Sequence, residues 1–148
     1  MTVILASVLL STALTSFGHE EKQLGPNGGR VVDFSKDGSV HGEVVEKDGQ
    51  FHIQLLDRDM KPVAADQQKL TALVGDRTKP EKLTVEKRDG MFVFPSQKRD
   101  DYWMILQYQT SADAKPVTAR FHYQSKPCPE CKKPEWLCDC HLKQKKKS

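Results

Sequence analysis

The residues best suited to chemistry in this chain are gathered near one end. All four cysteines fall between positions 128 and 140, as Cys128-Pro129-Glu130-Cys131, six further residues, then Cys138-Asp139-Cys140 with His141 directly after. A two-residue gap lets the thiolates of Cys128 and Cys131 point at one ion from a tight turn, which Pro129 helps to hold. Lys132 and Lys133 offset negative charge and favour thiolate over thiol. Cys138 with Cys140 or His141 completes a tetrahedral set for Zn(II), whereas three thiolates alone suit Cu(I). The candidate metal ligands are therefore Cys128, Cys131, Cys138, Cys140 and His141. In an oxidising compartment the same cysteines instead form two disulfides, in any of three connectivities, and both readings stand at this level. A thioredoxin-like pair is disfavoured, because its Cys-x-x-Cys opens a helix in a βαβ unit and no such unit is legible.

Histidines offer a second chemistry. Cleavage ahead of His19 would place a free α-amine beside an imidazole, and those two nitrogens can chelate Cu(II) in one plane. His41, His52 or His122 would supply the third nitrogen of such a copper site. The competing reading of His19-Glu20-Glu21-Lys22 is a frayed polar terminus. Met60, Met91 and Met104 do not cluster as a methionine-rich copper motif and read as packing residues. No Gly-x-Ser-x-Gly, His-Glu-x-x-His or phosphate loop is present, and Gly25-Pro26-Asn27-Gly28-Gly29 lacks the helix and Lys that phosphate cradling needs. The chain therefore reads as non-enzymatic. The net charge is +3, but residues 126–148 hold seven Lys against three acids, so the body is near neutral. A near-neutral body lacks the clustered cations of a nucleic-acid surface.

The elements that must position these groups are strands. The first 18 residues carry no charge, and their apolar run from Val3 to Leu14 is too short to cross a bilayer as a helix. With Ser16 and Gly18 three and one before His19, this stretch reads as a signal peptide, and the expected location is periplasmic or secreted. Residues 19–29 form a polar segment and a Gly-rich loop. From Arg30 the apolar pattern has period two, and strands are expected over Arg30–Phe34, Val40–Lys47, Gln50–Asp57, Lys69–Val74, Lys82–Lys87, Met91–Phe94, Tyr102–Gln109 and Val117–Gln124. The expected fold is all-β, an immunoglobulin-like antiparallel β-sandwich over residues 30–125, followed by an irregular Cys- and Lys-rich tail over 126–148.

Asp48-Gly49 reads as a two-residue hairpin turn that pairs Lys47 with Gln50, Val45 with His52 and Glu43 with Gln54. Val44, Phe51, Ile53 and Leu55 then face the core, and His41, Glu43, His52 and Gln54 face away, with Glu43 diagonal to His52. His41 lies roughly 13 Å along the strand from the residue opposite His52, too far to share a metal with it. The apolar strand Tyr102–Gln109 reads as central and covered on both faces. His122 reads as lying on a solvated face, and Trp136 and Leu137 as packing the tail onto the sandwich. The closing Lys run reads as a solvated end.

The loop Gly25-Pro26-Asn27-Gly28-Gly29-Arg30, the strand motif His41-Gly42-Glu43-Val44, and Leu55-Leu56-Asp57 followed by Lys61-Pro62-Val63 together resemble a known module. It is the small β-sandwich of periplasmic adaptor (membrane fusion) proteins of heavy-metal efflux pumps of the cobalt-zinc-cadmium and copper type. Small secreted bacterial proteins of unassigned role look similar too, including their Cys-Pro-Glu-Cys-Lys tails. The resemblance is densest over residues 24–63 and extends to about residue 124. It implies a periplasmic, metal-linked accessory module, draws attention to His41 and Glu43, and implies an envelope or efflux-system partner. It does not imply pumping, since no counterpart of the adaptors' long helical hairpin, lipoyl-like or barrel domain is seen. The resulting expectation is a secreted or periplasmic protein that sequesters or delivers Zn(II) or Cu(I) and does not span the membrane after cleavage. The alternative is a non-enzymatic interaction module stapled by two disulfides in its tail.

Overall fold

Alternating apolar residues and tight turns build two antiparallel sheets that pack face to face. The computed structural model describes residues 22–75 and 78–140. Its strands are β1 (Arg30–Asp33), β2 (Val40–Lys47), β3 (Gln50–Asp57), β4 (Pro62–Val63), β5 (Lys69–Val74), β6 (Glu81–Leu83), β7 (Glu86–Arg88), β8 (Met91–Pro95), β9 (Asp101–Gln109) and β10 (Val117–Gln124). The larger sheet runs β1-β2-β3-β8-β7, with β4 also on β3, and the smaller runs β10-β9-β5-β6. The expected β-sandwich is therefore present. The β2–β3 register is the expected one, from Lys47 opposite Gln50 to Glu43 opposite Gln54. Asp48 and Gly49 both take positive φ, 53° and 72°, the geometry that a two-residue turn needs to match strand twist.

The core lies between the sheets. Val44, Phe51, Ile53 and Leu55 from one face meet Met104, Leu106, Tyr108 and Phe121 from the other. Phe34 stacks on Tyr108 with centroids 4.7 Å apart, and Phe51 meets Phe121 edge-on at 6.2 Å.

Three expectations need correction. The segment Lys82–Lys87 is two strands, with β6 on β5 in the smaller sheet and β7 on β8 in the larger. Leu83 and Val85 both touch the core, which mimics one alternating strand, but the chain crosses from one sheet to the other between them. β9 is central but covered on one face only: Tyr102, Met104, Leu106 and Tyr108 are buried, whereas Trp103 is 45% exposed on the other side. Glu43 does sit on the outward side of β2, yet it is fully buried.

The Gly-rich loop buries it. The Glu43 carboxylate accepts hydrogen bonds from the Asn27 backbone N–H (2.7 Å), the Asn27 side-chain amide (2.9 Å) and the Gly29 N–H (3.0 Å). A Cβ at Gly25 would lie 2.6 Å from the Glu43 carboxyl carbon, so the loop can wrap this closely only without a side chain there. By contrast, His41 Nδ1 bonds Asp33 Oδ1 at 2.8 Å with the aspartate side chain 76% exposed. Glu43→Ala strands two backbone donors, so a loss of about 1–3 kcal/mol is expected in urea unfolding. His41→Ala leaves behind an aspartate that water can reach and strands no buried donor, so its loss should be the smaller of the two. Equal effects of the two substitutions would contradict this account of the loop.

Candidate metal centre

The tail folds back against the open end of the sandwich. Ser125 donates its N–H to the Asp100 carbonyl, and Glu135 donates to the Lys126 carbonyl at 2.8 Å, so the chain leaves β10 and returns beside itself. Pro127 and Pro134 face each other in an antiparallel bridge, which closes a small hairpin. At its tip Cys128 N–H bonds the Lys133 carbonyl (2.7 Å) and Lys132 N–H bonds the Cys128 carbonyl (3.0 Å). Lys132 closes the turn with φ of 63°, a left-handed conformation that L residues other than Gly, Asn and Asp adopt rarely. A single-turn 3-10 helix, Glu135–Leu137, then carries the chain to Cys138.

Trp136, inside that turn, anchors the tail. It is 1% exposed and belongs to the main core, against Phe121 at 5.7 Å, Tyr123 at 5.4 Å and Phe51 at 6.0 Å between ring centroids. This is the packing role expected for it. Lys22, beside the start of the described chain, adds a tie by donating to the Glu135 carbonyl at 2.8 Å. With the hairpin held on one side of Trp136 and Cys138-Asp139-Cys140 on the other, the sulfurs are brought together.

The sulfurs of Cys128, Cys131, Cys138 and Cys140 all lie within 4.8 Å of one another. Cys138 approaches Cys128 at 3.3 Å, and Cys140 lies 4.0 Å from Cys128. These separations bracket the edge of a zinc–thiolate tetrahedron, about 3.8 Å for Zn–S bonds of about 2.3 Å. A disulfide requires about 2.05 Å, and all four cysteines are free thiols here. Cys128, Cys138 and Cys140 are buried and Cys131 is half-buried. The cluster can therefore hold a metal ion with four sulfur donors. Lys133 pairs with Asp139 at 3.5 Å and Lys132 donates to the Pro129 carbonyl, so both cations are engaged by oxygens of the tail.

The thiols do not titrate alike. Backbone N–H groups of Cys131 and Glu130, with the Cys138 thiol between them in strength, donate to Cys128 and bring its pKa from 9.0 down to about 7. Burial raises Cys138, and hydrogen bonding to Cys131 and Cys138 raises Cys140. Without metal, Cys128 is thus the thiol pushed toward thiolate, and Cys138 and Cys140 are pushed the other way.

Of the other candidates, His141 and His19 lie outside the described residues, as does the expected signal peptide. His41, His52 and His122 do not converge. His41 is paired with Asp33, His52 stands opposite Val45 and Val93 on the outer face of the larger sheet, and His122 lies on the outer face of the smaller. Glu43 spends its carboxylate on the Gly-rich loop. Among the described residues no helix is long and apolar enough to cross a membrane. Comparison with known protein families, with curated proteins and with solved structures finds no match to this chain.

Proposed function

We propose that this is a non-enzymatic metal-binding accessory protein that retains one Zn(II) ion per chain in a closed site of four cysteine sulfurs. The convergence of Cys128, Cys131, Cys138 and Cys140 within 4.8 Å carries the reading. Four thiolates in a tetrahedron suit Zn(II) better than Cu(I), which is content with fewer sulfurs. A site with three protein ligands and an open position would suit hydrolysis, but four sulfurs fill the coordination sphere and favour holding the ion. Half-buried Cys131 is the sulfur at which an incoming ligand would begin to compete, so the site suits sequestration with slow delivery.

Trp136 pins the tail to the sandwich, and an ion bound by sulfurs from both sides of it in sequence would tie the two cysteine pairs together, with the sandwich as the platform. The apolar run Val3–Leu14 and the small residues before His19 support work in the periplasm or outside the cell, where the bound ion holds the thiolates against pairing as disulfides. The resemblance to adaptor modules supports an efflux-system protein as the partner that supplies or receives the ion.

Elemental analysis of anaerobically purified protein should give one zinc per chain. Cys128→Ser and Cys138→Ser should each lower zinc affinity at least about tenfold, an effect of about 1.4 kcal/mol or more. Stripping the ion with a chelator should lower the thermal midpoint and red-shift the emission of Trp136. Full zinc retention in both variants, or a mass gain of four hydrogens on thiol reduction, would overturn the proposal, since the second result means two disulfides.

A further inference from the structure

The four sulfurs are not equivalent towards a reagent arriving from solvent. Cys128, Cys138 and Cys140 are 5%, 1% and 9% exposed, whereas Cys131 is half-buried and is the one that solvent reaches. A sulfur that binds a metal does so as thiolate, and thiolate is also the form that attacks peroxides. Behind Cys131 stand three more sulfurs, each within 4.8 Å of it, so an oxidised Cys131 has resolving partners already in place. An accessible thiolate poised beside a resolving cysteine is the arrangement on which thiol redox sensors rely. The sulfurs also divide into pairs. Cys138 approaches Cys128 at 3.3 Å, against 4.0 Å between Cys140 and Cys128, and Cys140 has Cys131 as its main hydrogen-bonding neighbour. Each pair joins one cysteine of the hairpin to one that follows Trp136.

We propose that the site releases its ion on oxidation by a hydroperoxide, that Cys131 is the sulfur attacked first, and that the oxidised tail carries two disulfides, Cys131 to Cys140 and Cys128 to Cys138. This regulation rests on the zinc-binding reading proposed for the same four sulfurs. In the first step the Cys131 thiolate attacks one peroxide oxygen, the O–O bond breaks, and the leaving alkoxide or hydroxide takes a proton. Cys131 is then a sulfenic acid. The Cys140 thiolate attacks its sulfur, the S–S bond forms, the S–O bond breaks, and the hydroxide released takes a second proton to become water. Two sulfurs have each lost one electron, and the peroxide has gained two. Only half of the donor set then remains for the ion, and a second peroxide takes Cys128 and Cys138 through the same steps. Thiol–disulfide exchange with an added dithiol regenerates all four thiols, so the release is reversible.

The test uses the full chain, purified anaerobically with its zinc, and hydrogen peroxide as the oxidant. With limiting peroxide, dimedone should trap a sulfenic acid at Cys131 ahead of the other three cysteines. About two equivalents should release the zinc to a chromogenic indicator with loss of four hydrogens per chain, and dithiothreitol should restore binding. Cleavage after Glu130 and before Asp139 separates all four cysteines, so the linked peptides report the pairing directly. Cys131→Ser should slow disulfide formation in the zinc-loaded chain at least about tenfold. The proposal fails if dimedone marks a buried cysteine first, if Cys131→Ser is oxidised as fast as the wild-type chain, or if the map shows any other pairing. A chain that binds no zinc before peroxide is added overturns the zinc-binding reading and the release with it. A chain that binds zinc and keeps it once its thiols are oxidised overturns the release alone.

Discussion

Four cysteine sulfurs held within 4.8 Å cannot all be ionised unless a cation sits among them, and the tail is built around that constraint. Two like charges about 4 Å apart repel by about 4 kcal/mol at an effective dielectric of 20, and a four-sulfur cluster contains several such pairs. Protons relieve the repulsion in part: burial favours the neutral Cys138 thiol and hydrogen bonding that of Cys140, while backbone N–H donors stabilise the Cys128 thiolate. A divalent ion would offset much of it and replace several weak contacts with four strong bonds. The left-handed backbone of Lys132, the facing prolines and the buried Trp136 all serve to aim sulfur at one point.

The sandwich contributes rigidity. Its two sheets meet through aromatic rings, and Trp136 adds one more ring beside Phe51, Phe121 and Tyr123 at the end of the core. Because Trp136 lies between the two cysteine pairs in sequence, an ordered metal site and a well-packed sandwich end are the same structural event. The N-terminal Gly-rich loop follows the same logic at another place. There a buried carboxylate, Glu43, organises backbone N–H groups as the ion would organise thiolates. In both cases an irregular segment is held by a polar centre, with the regular sheets beneath it.

Much of this was legible in the sequence, for identifiable reasons. The β2–β3 register follows from Asp48-Gly49, because a two-residue turn leaves no freedom in which residues face each other. The convergence of the cysteines follows from short spacings within a tail stiffened by prolines. What local pattern could not show was where the chain changes partners. Leu83 and Val85 alternate like one strand, but alternation does not say which sheet receives each residue. Likewise, the burial of Glu43 depends on a loop fourteen or more residues away. The signal was present, in that Gly25 and Gly29 are small enough to close on something and Glu43 is an acid amid apolar strand residues, but only the fold joins them. Trp103 was read as covered because an apolar strand at the centre of a sheet suggests two packed faces, and here only one is packed.

The central claim is that one ion is bound by four sulfurs from this tail, and X-ray absorption at the metal edge of the intact protein tests it most directly. The account predicts a zinc signal with a single shell of four sulfur scatterers at about 2.3 Å. A shell dominated by nitrogen or oxygen, or one with two sulfurs or fewer, would contradict it.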